Sequence, residues 1–301
     1  MQKYWITPTD DRPLTVETLL TRRGITDPAQ IEAFFDPTRY VPAPSSDLPD
    51  MNRAVERIER AITDSERILI WGDFDVDGQT ATSLLVEALG SLGARISPYI
   101  PDRNTEGHGI HTGKLGQLLD ADGARVVLTC DTGIAAHDAI DYANSRGVDV
   151  VITDHHQLAE TLPDAYAAIN PQRLDEGHPL HALPGVGVAY KLVEALYTRA
   201  GRSNDDLTRL LDLVALGIVA DVAVLVDDTR YLLQRGLAVL RNTSRPGLRA
   251  MMELAKITPA ELIETDIGFG LGPRMNALGR LDDANKAVEL LTTKNAERAQ
   301  I

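Results

Sequence analysis

Between residues 67 and 153, blocks of alternating and periodic apolar positions succeed one another and predict an α/β fold. Residues 67–71, Arg-Ile-Leu-Ile-Trp, form a short β-rich run, and 80–92 carry a helical pattern that stops at Gly93. Strand 95–100 and helix 114–119 follow, then strand 125–130, helix 135–146 ended by Gly147, and strand 148–153. Strands alternating with helices of this length connect by right-handed crossovers, which gives a mostly parallel sheet with helices on both faces. Apolar runs such as Val148-Asp-Val-Val-Ile152 suit strands covered on both sides. After Pro171 the pattern turns helical, at 188–200, 205–219, 229–240, 247–254, 259–264 and 283–301. Residues 1–50 carry scattered prolines and short helical stretches near 15–23 and 28–35, and 42–49 reads as an extended connector because each X-Pro pair disfavours helix. Three parts are therefore expected: an irregular N-terminal layer at 1–50, an α/β core at 51–171 and a helical part at 172–301. The last helical pattern stops without a terminal cap, so a further C-terminal domain is expected to follow.

Composition narrows the class. The 301 residues are 44% hydrophobic and 25% charged, which is ordinary for a globular protein and enough chain to bury a sizeable core. The single cysteine, Cys130, excludes an internal disulfide and fits a reducing compartment. Residues 1–15 already contain Asp10 and Asp11 and do not resemble a secretory signal, and the most apolar stretch, 207–226, is broken by Arg209, Asp212 and Asp221. A cytoplasmic protein with no membrane span is expected. The net charge of −14 argues against a simple nucleic-acid coat. Residues 229–256 run the other way, with Arg230, Arg235, Arg241, Arg245, Arg249 and Lys256 against Glu253 alone; the strip reads as a solvated helical face or as a phosphate-binding surface.

The chemistry concentrates at three predicted strand ends. After the first comes Gly72-Asp73-Phe74-Asp75-Val76-Asp77-Gly78. Carboxylates at i, i+2 and i+4 point one way on extended backbone, and three such anions repel unless a cation neutralises them. The opening matches a calcium-binding EF-hand loop, but the twelfth position is Leu84 instead of a bidentate Glu and the preceding element reads as strand, so that motif is excluded. A structural alternative has Asp73 forming a turn and Asp77 capping the next helix. The second strand end brings Asp131 and the third Asp154-His155-His156, where neutral imidazole suits Mn²⁺ or Zn²⁺ and Asp154 can orient a ring through its other nitrogen. The open α/β sheet places its ligands at such carboxyl ends. The surplus of ligands over one ion's needs points to two cations about 3.5–4 Å apart, which suits phosphoryl displacement.

Gly72-Asp-Phe-Asp-Val-Asp-Gly78, Cys130-Asp-Thr-Gly133 and Asp154-His-His156, in that order, resemble the successive motifs of the DHH phosphoesterase superfamily. Asp102-Arg-Asn-Thr-Glu-Gly-His-Gly109, Leu183-Pro-Gly-Val-Gly187, Gly217-Ile-Val-Ala-Asp221-Val and Gly272-Pro-Arg-Met-Asn-Ala-Leu-Gly-Arg280 are similar to its RecJ-like branch. Trp71, four residues before Asp75 where pyrophosphatase relatives carry a metal-binding His, agrees with that branch. The resemblance implies a 5′→3′ exonuclease that hydrolyses single-stranded DNA with two divalent cations, Mn²⁺ or Mg²⁺, and acts in repair and recombination beside other repair proteins. It implies metal ligands at Asp75, Asp77, Asp131, His155 and Asp221, with Asp73 as an additional one. It places His156 near the scissile phosphate, making His156 and Asp131 the catalytic pair. Arg103, Arg274 and Arg280, read as lying in glycine-containing loops, are the expected nucleic-acid contacts. The Leu183–Gly187 segment resembles the tight turn of a helix-hairpin-helix DNA-binding unit and equally a helix N-terminus, and His108 stands where Tyr is commoner. Other readings are a phosphoesterase of short oligonucleotides or cyclic dinucleotides, which uses the same core, and an inactive DNA-binding scaffold, which would have lost the ligand positions filled here.

Overall fold

The computed structural model describes residues 15–281 and 283–300. The chain divides into two compact units, Met1–Val41 and Pro42–Ile301. In the first, helix α1 (Val16–Arg22) begins at Thr15, whose side chain accepts from the Thr18 N–H, and α2 (Pro28–Phe35) begins at Asp27, which accepts from Ala29 N. Pro28 at the first helical position has no N–H to leave unsatisfied.

The second unit is built on five parallel strands: β1 (Arg67–Trp71), β2 (Arg95–Tyr99), β3 (Val126–Cys130), β4 (Asp149–Thr153) and β5 (Ala167–Ile169), in the order β2-β1-β3-β4-β5. Helix α3 (Met51–Thr63) precedes the sheet, and α4 (Val76–Ser91), α5 (Thr112–Asp122) and α6 (His137–Ser145) are the crossovers. The remaining helices are α7 (Gly185–Arg199), α8 (Asn204–Thr208), α9 (Leu211–Ala220), α10 (Asp227–Arg241), α11 (Pro246–Leu254), the single turn α12 (Glu264–Asp266), α13 (Gly272–Leu281), α14 (Asn285–Thr292) and α15 (Ala296–Ala299). Side chains alternate across each strand. Ile68, Ile70, Val126, Leu128 and Val151 therefore join one apolar layer with α3, α4, α7 and α9, while Leu69, Trp71, Val127, Val150 and Ile152 join a second with α5 and α6. Pro98 lies in the edge strand β2, where a missing N–H costs no ladder bond.

Several boundaries differ from the sequence reading. Helix α4 starts at Val76, a turn before residue 80, because Asp75 accepts from Gly78 N at 3.0 Å and caps it; Asp77 is not the cap. The pattern at 205–219 splits into α8 and α9, the one at 259–264 becomes a 3₁₀ turn (Pro259–Glu261) followed by α12, and the last contains α14 and α15. Helix α3 and strand β5 were not anticipated. The 42–49 connector contains a 3₁₀ turn, Ser45–Asp47, and is tied down at Ala43, whose N–H donates to Asp228 and whose carbonyl accepts from the buried Lys191 ammonium. No helix among the described residues is long and apolar enough to cross a membrane.

Candidate metal centre

The strand order reverses between β1 and β3, and a sheet of this topology opens its ligand crevice there, beyond the carboxyl ends of the strands. Asp73 and Asp75 occupy the turn after β1, Asp77 the first turn of α4, Asp131 the position after β3, and Asp154-His155-His156 the turn after β4. The three carboxylates of the acidic loop do not converge by strand alternation: β1 ends at Trp71, and Asp77 is brought round by the helix. Asp221 arrives from the far side as the C-cap of α9. Three triplets have potential ligand atoms within 4.8 Å of one another: Asp131, His155 and His156; Asp77, His155 and Asp221; and Asp73, Asp75 and Asp131. Shared members join all seven side chains into one cluster. The backbone is strained at two of its edges, with φ of 60° at Asp131 and 58° at Val222, next to Asp221.

Asp77 is the deepest member. Its carboxylate accepts from the backbone N–H groups of Gly185 (2.6 Å) and Val186 (2.9 Å), the first residues of α7, where the helix dipole also favours an anion. A Cβ on Gly185 would come within 2.6 Å of the Asp131 side chain, so only glycine lets the helix end approach this closely. The Leu183-Pro-Gly-Val-Gly187 turn, read as a DNA-binding element or a helix start, is the helix start, and it clamps a carboxylate. His155 Nε2 lies 3.0 Å from Asp131 Oδ1 and 3.8 Å from Asp77 Oδ2. Asp131 Oδ1 is nevertheless buried without a hydrogen bond.

The electrostatics follow from burial and crowding. Burial, with Asp221 and Asp75 nearby, pushes the Asp77 carboxyl well above its usual range, and burial with Asp77 beside it does the same to Asp131. Burial and Asp75 raise Asp221 to about 6, and burial also raises Asp73. The two histidines are driven apart. Burial and its neighbour His156 lower His155 to about 4, so its imidazole is neutral at pH 7. The hydrogen bond that the His156 ring donates to Asp154 raises His156 to about 9, against burial, which keeps it an imidazolium. Asp154 is itself buried, which works to raise its pKa; hydrogen bonds from His156 Nδ1 (2.7 Å) and from the N–H groups of Ile134, His155 and His156 outweigh that and hold it lowered. A crowded set of carboxylates with a neutral imidazole and a buried oxygen that makes no hydrogen bond fits hard or borderline divalent cations, whose charge would relieve the repulsion.

Residues 67–218, from the start of β1 into α9, match the DHH family, N-terminal domain. The chain belongs to the DHH family. It is 44% identical over 265 residues to the single-stranded-DNA-specific exonuclease RecJ of Dickeya dadantii (strain 3937), covering 84% of this chain and 46% of that protein. With the RecJ of Escherichia coli (strain K12) it shares 38% identity over 318 residues, covering 100% and 54%. The chain thus spans about half the length of the curated relatives it matches. A crystal structure of exonuclease RecJ bound to manganese superposes with a TM-score of 0.77 at 36% identity, covering 84% of this chain and 63% of that one. RecJ from Thermus thermophilus in complex with Mn²⁺ gives 0.78 at 32% identity, covering 93% and 39%.

The basic residues distribute unevenly around the DHH cluster. Arg103 lies in the loop after β2, with its guanidinium carbon 4.9 Å from the centroid of the Phe74 ring in the acidic loop. Arg274 and Arg280 lie on helix α13, not in loops. Asn104 donates to the Arg280 carbonyl at 3.1 Å, which brings that end of α13 to the Arg103 loop. Arg274 donates to Gly270 O at 2.6 Å and lines a cavity of about 660 Å³ with Met251, Leu278 and Arg298, apart from the DHH cluster. His108 Nδ1 lies 3.2 Å from Asp73 Oδ2, a partner the sequence reading missed. The 229–256 strip is not one face: Arg245 turns inward to Asp212 and Glu87, and Arg241 donates to Leu262 O.

Proposed function

We propose that this chain carries out metal-dependent phosphodiester hydrolysis on single-stranded DNA, as a 5′→3′ exonuclease of the RecJ type working in DNA repair and recombination in the cytoplasm, with other repair proteins as partners. The observation that carries the reading is the cluster itself: five carboxylates and two imidazoles from distant parts of the chain meet at one sheet crevice, with a buried Asp131 oxygen that makes no hydrogen bond. The exonuclease names of the relatives support the substrate. In this reading 51–171 is the metal-binding core, and 172–301 adds Asp221 and the basic helix α13.

Asp73, Asp75, Asp77, Asp131, His155 and Asp221 would hold two divalent cations, Mn²⁺ or Mg²⁺. These would supply a strong nucleophile at neutral pH and charge neutralisation at the attacking and leaving oxygens. The protein's own part is positional and electrostatic. Gly185 and Val186 fix Asp77; Asp154 fixes the orientation and charge of His156, whose exposed ring presents an imidazolium N–H to a bound phosphate. Arg103 and Arg280 contact the backbone of the strand, and Arg274 makes a further phosphate contact along α13. The test is the Asp131→Ala variant on a long 5′-labelled single strand with Mn²⁺. Hydrolysis is expected to fall by about 10³-fold or more with the fold retained by circular dichroism. Label release as mononucleotide from the wild type shows the polarity. Asp131→Ala degrading DNA at the wild-type rate would defeat the mechanism, and a wild type that cleaves dinucleotides but not long strands would replace the substrate.

A further inference from the structure

Phe74 stands between Asp73 and Asp75, yet its side chain is only 2% exposed and carries no ligand atom. Three remote elements converge on it. From the loop after β2, the His108 ring packs at 4.2 Å between centroids and the Arg103 guanidinium lies 4.9 Å from the centroid of the same ring. From α14 and its start, Val288 and Ala284 close the apolar surround together with Ile100. From α13, Gly279 passes so near that a Cβ there would come within 2.4 Å of the Phe74 carbonyl oxygen. That oxygen accepts from Gln79 Nε2 at 2.7 Å, and the same nitrogen reaches Met275 O on α13 at 3.4 Å. Two amides complete the junction: Asn104 to the Arg280 carbonyl at 3.1 Å, and Asn285, which spans the N–H and carbonyl of Ile100 at 2.9 and 3.0 Å.

We infer that Phe74 is a positioning residue that registers the strand-binding arginine Arg103 against the metal centre. It lies on the same short turn as two ligands, so the ring that supports the guanidinium and the carboxylates that would hold the cations share one rigid piece of backbone. A guanidinium stacked on a ring keeps its N–H edge free for a bidentate phosphate contact, and its side chain gives up less freedom when the phosphate arrives. Leucine at this position fills space but has no π face for the cation. The inference rests on the single-strand reading above.

The test is a double-mutant cycle on the affinity for a 5′-phosphorylated, phosphorothioate single-stranded oligonucleotide in Mn²⁺, read by fluorescence anisotropy, with Mn²⁺ affinity measured by calorimetry in parallel. Phe74→Leu and Arg103→Ala are each expected to weaken oligonucleotide binding by about five- to tenfold, and the double variant no more than Arg103→Ala alone. Mn²⁺ affinity of Phe74→Leu should stay within about twofold of wild type, which a general loosening of the acidic loop would not allow. Multiplying losses, wild-type oligonucleotide binding by Phe74→Leu, or a parallel loss of Mn²⁺ affinity each overturns the proposal while leaving the DNA reading intact. Wild-type binding by Arg103→Ala overturns the proposal and removes Arg103 from the strand contacts, while the metal-centre reading still stands or falls with Asp131→Ala. Should Phe74→Leu not fold, Arg103→Lys at the exposed end of the pair decides: it keeps the charge but not the planar stack or the bidentate edge, and is expected to bind at least about threefold more weakly than wild type, whereas any smaller loss overturns the proposal.

Discussion

Asp77 and Gly185 are 108 residues apart in sequence and 2.6 Å apart in space, joined by a carboxylate oxygen and a backbone N–H. The methyl group of Gly185→Ala would collide with Asp131, so the end of α7 must withdraw from both aspartates. This variant is expected to bind Mn²⁺ at least about tenfold more weakly in calorimetry, because the two N–H groups that fix Asp77 leave with the helix end. A folded Gly185→Ala protein with wild-type Mn²⁺ affinity would show the clamp to be dispensable. The clustering itself was legible because grouped carboxylates and paired histidines at predicted strand ends have no cheaper explanation together. Asp154 was legible too, since a carboxylate adjacent to a histidine can reach its ring. What holds Asp77 was not, because a main-chain donor leaves no side-chain signature; the only trace was the small-residue run Leu183-Pro-Gly-Val-Gly187, which a DNA-binding turn explains equally well. His108 was noted only as a departure from Tyr, and its approach to Asp73 depends on a fold of the 100–111 loop that no local pattern encodes.

Among elements, β1, β3 and β4 were readable because each is an apolar run covered on both faces, whereas β5 has three residues, two of them Ala, and gives no pattern. Helix α3 hides its stripe: Arg57 sits among Ala54, Val55, Ile58 and Ala61 and looks like a polar interruption, yet it is buried, with ion pairs to Glu66 and Asp149. Arg245 misled in the same way. Counted as part of a basic surface, it instead joins three helices and a loop, contacting Asp212 of α9 at 2.9 Å, Glu87 of α4 at 2.5 Å and the Leu291 carbonyl of α14 at 3.1 Å. Thr243 also donates to Asp212, at 2.7 Å. Removing the cation leaves a buried carboxylate uncompensated, so Arg245→Ala is expected to lose about 3–5 kcal/mol in urea unfolding. A loss below about 1 kcal/mol, the range of exposed pairs, would return Arg245 to the solvated surface.

For the whole molecule, the net charge of −14 and the crowded crevice make stability depend on pH and on cations together. In the chain stripped of metal by chelator, Asp221 titrates near 6 and Asp77 and Asp131 also lie well above the 3.8 they have when unfolded. The folded state therefore holds protons that the unfolded state has released, and the stability these groups contribute below that range is lost as pH rises through their folded values. His156, raised to about 9 from 6.5, acts in the same sense between pH 6.5 and 9. His155, lowered to about 4, opposes them only between 4 and 6.5. From pH 6 to 8 the sum has one sign, and the chelated chain should melt about 2–5 °C lower at pH 8 than at pH 6. Saturating Mn²⁺ competes with those same protons, so its stabilisation should be largest at pH 8 and should flatten or invert the slope. Differential scanning fluorimetry in chelator and in Mn²⁺ at the two pH values measures all four corners. A chelated chain that melts higher at pH 8, or a Mn²⁺ increment equal at both, would mean that Asp77, Asp131 and Asp221 do not exchange protons for a cation on folding.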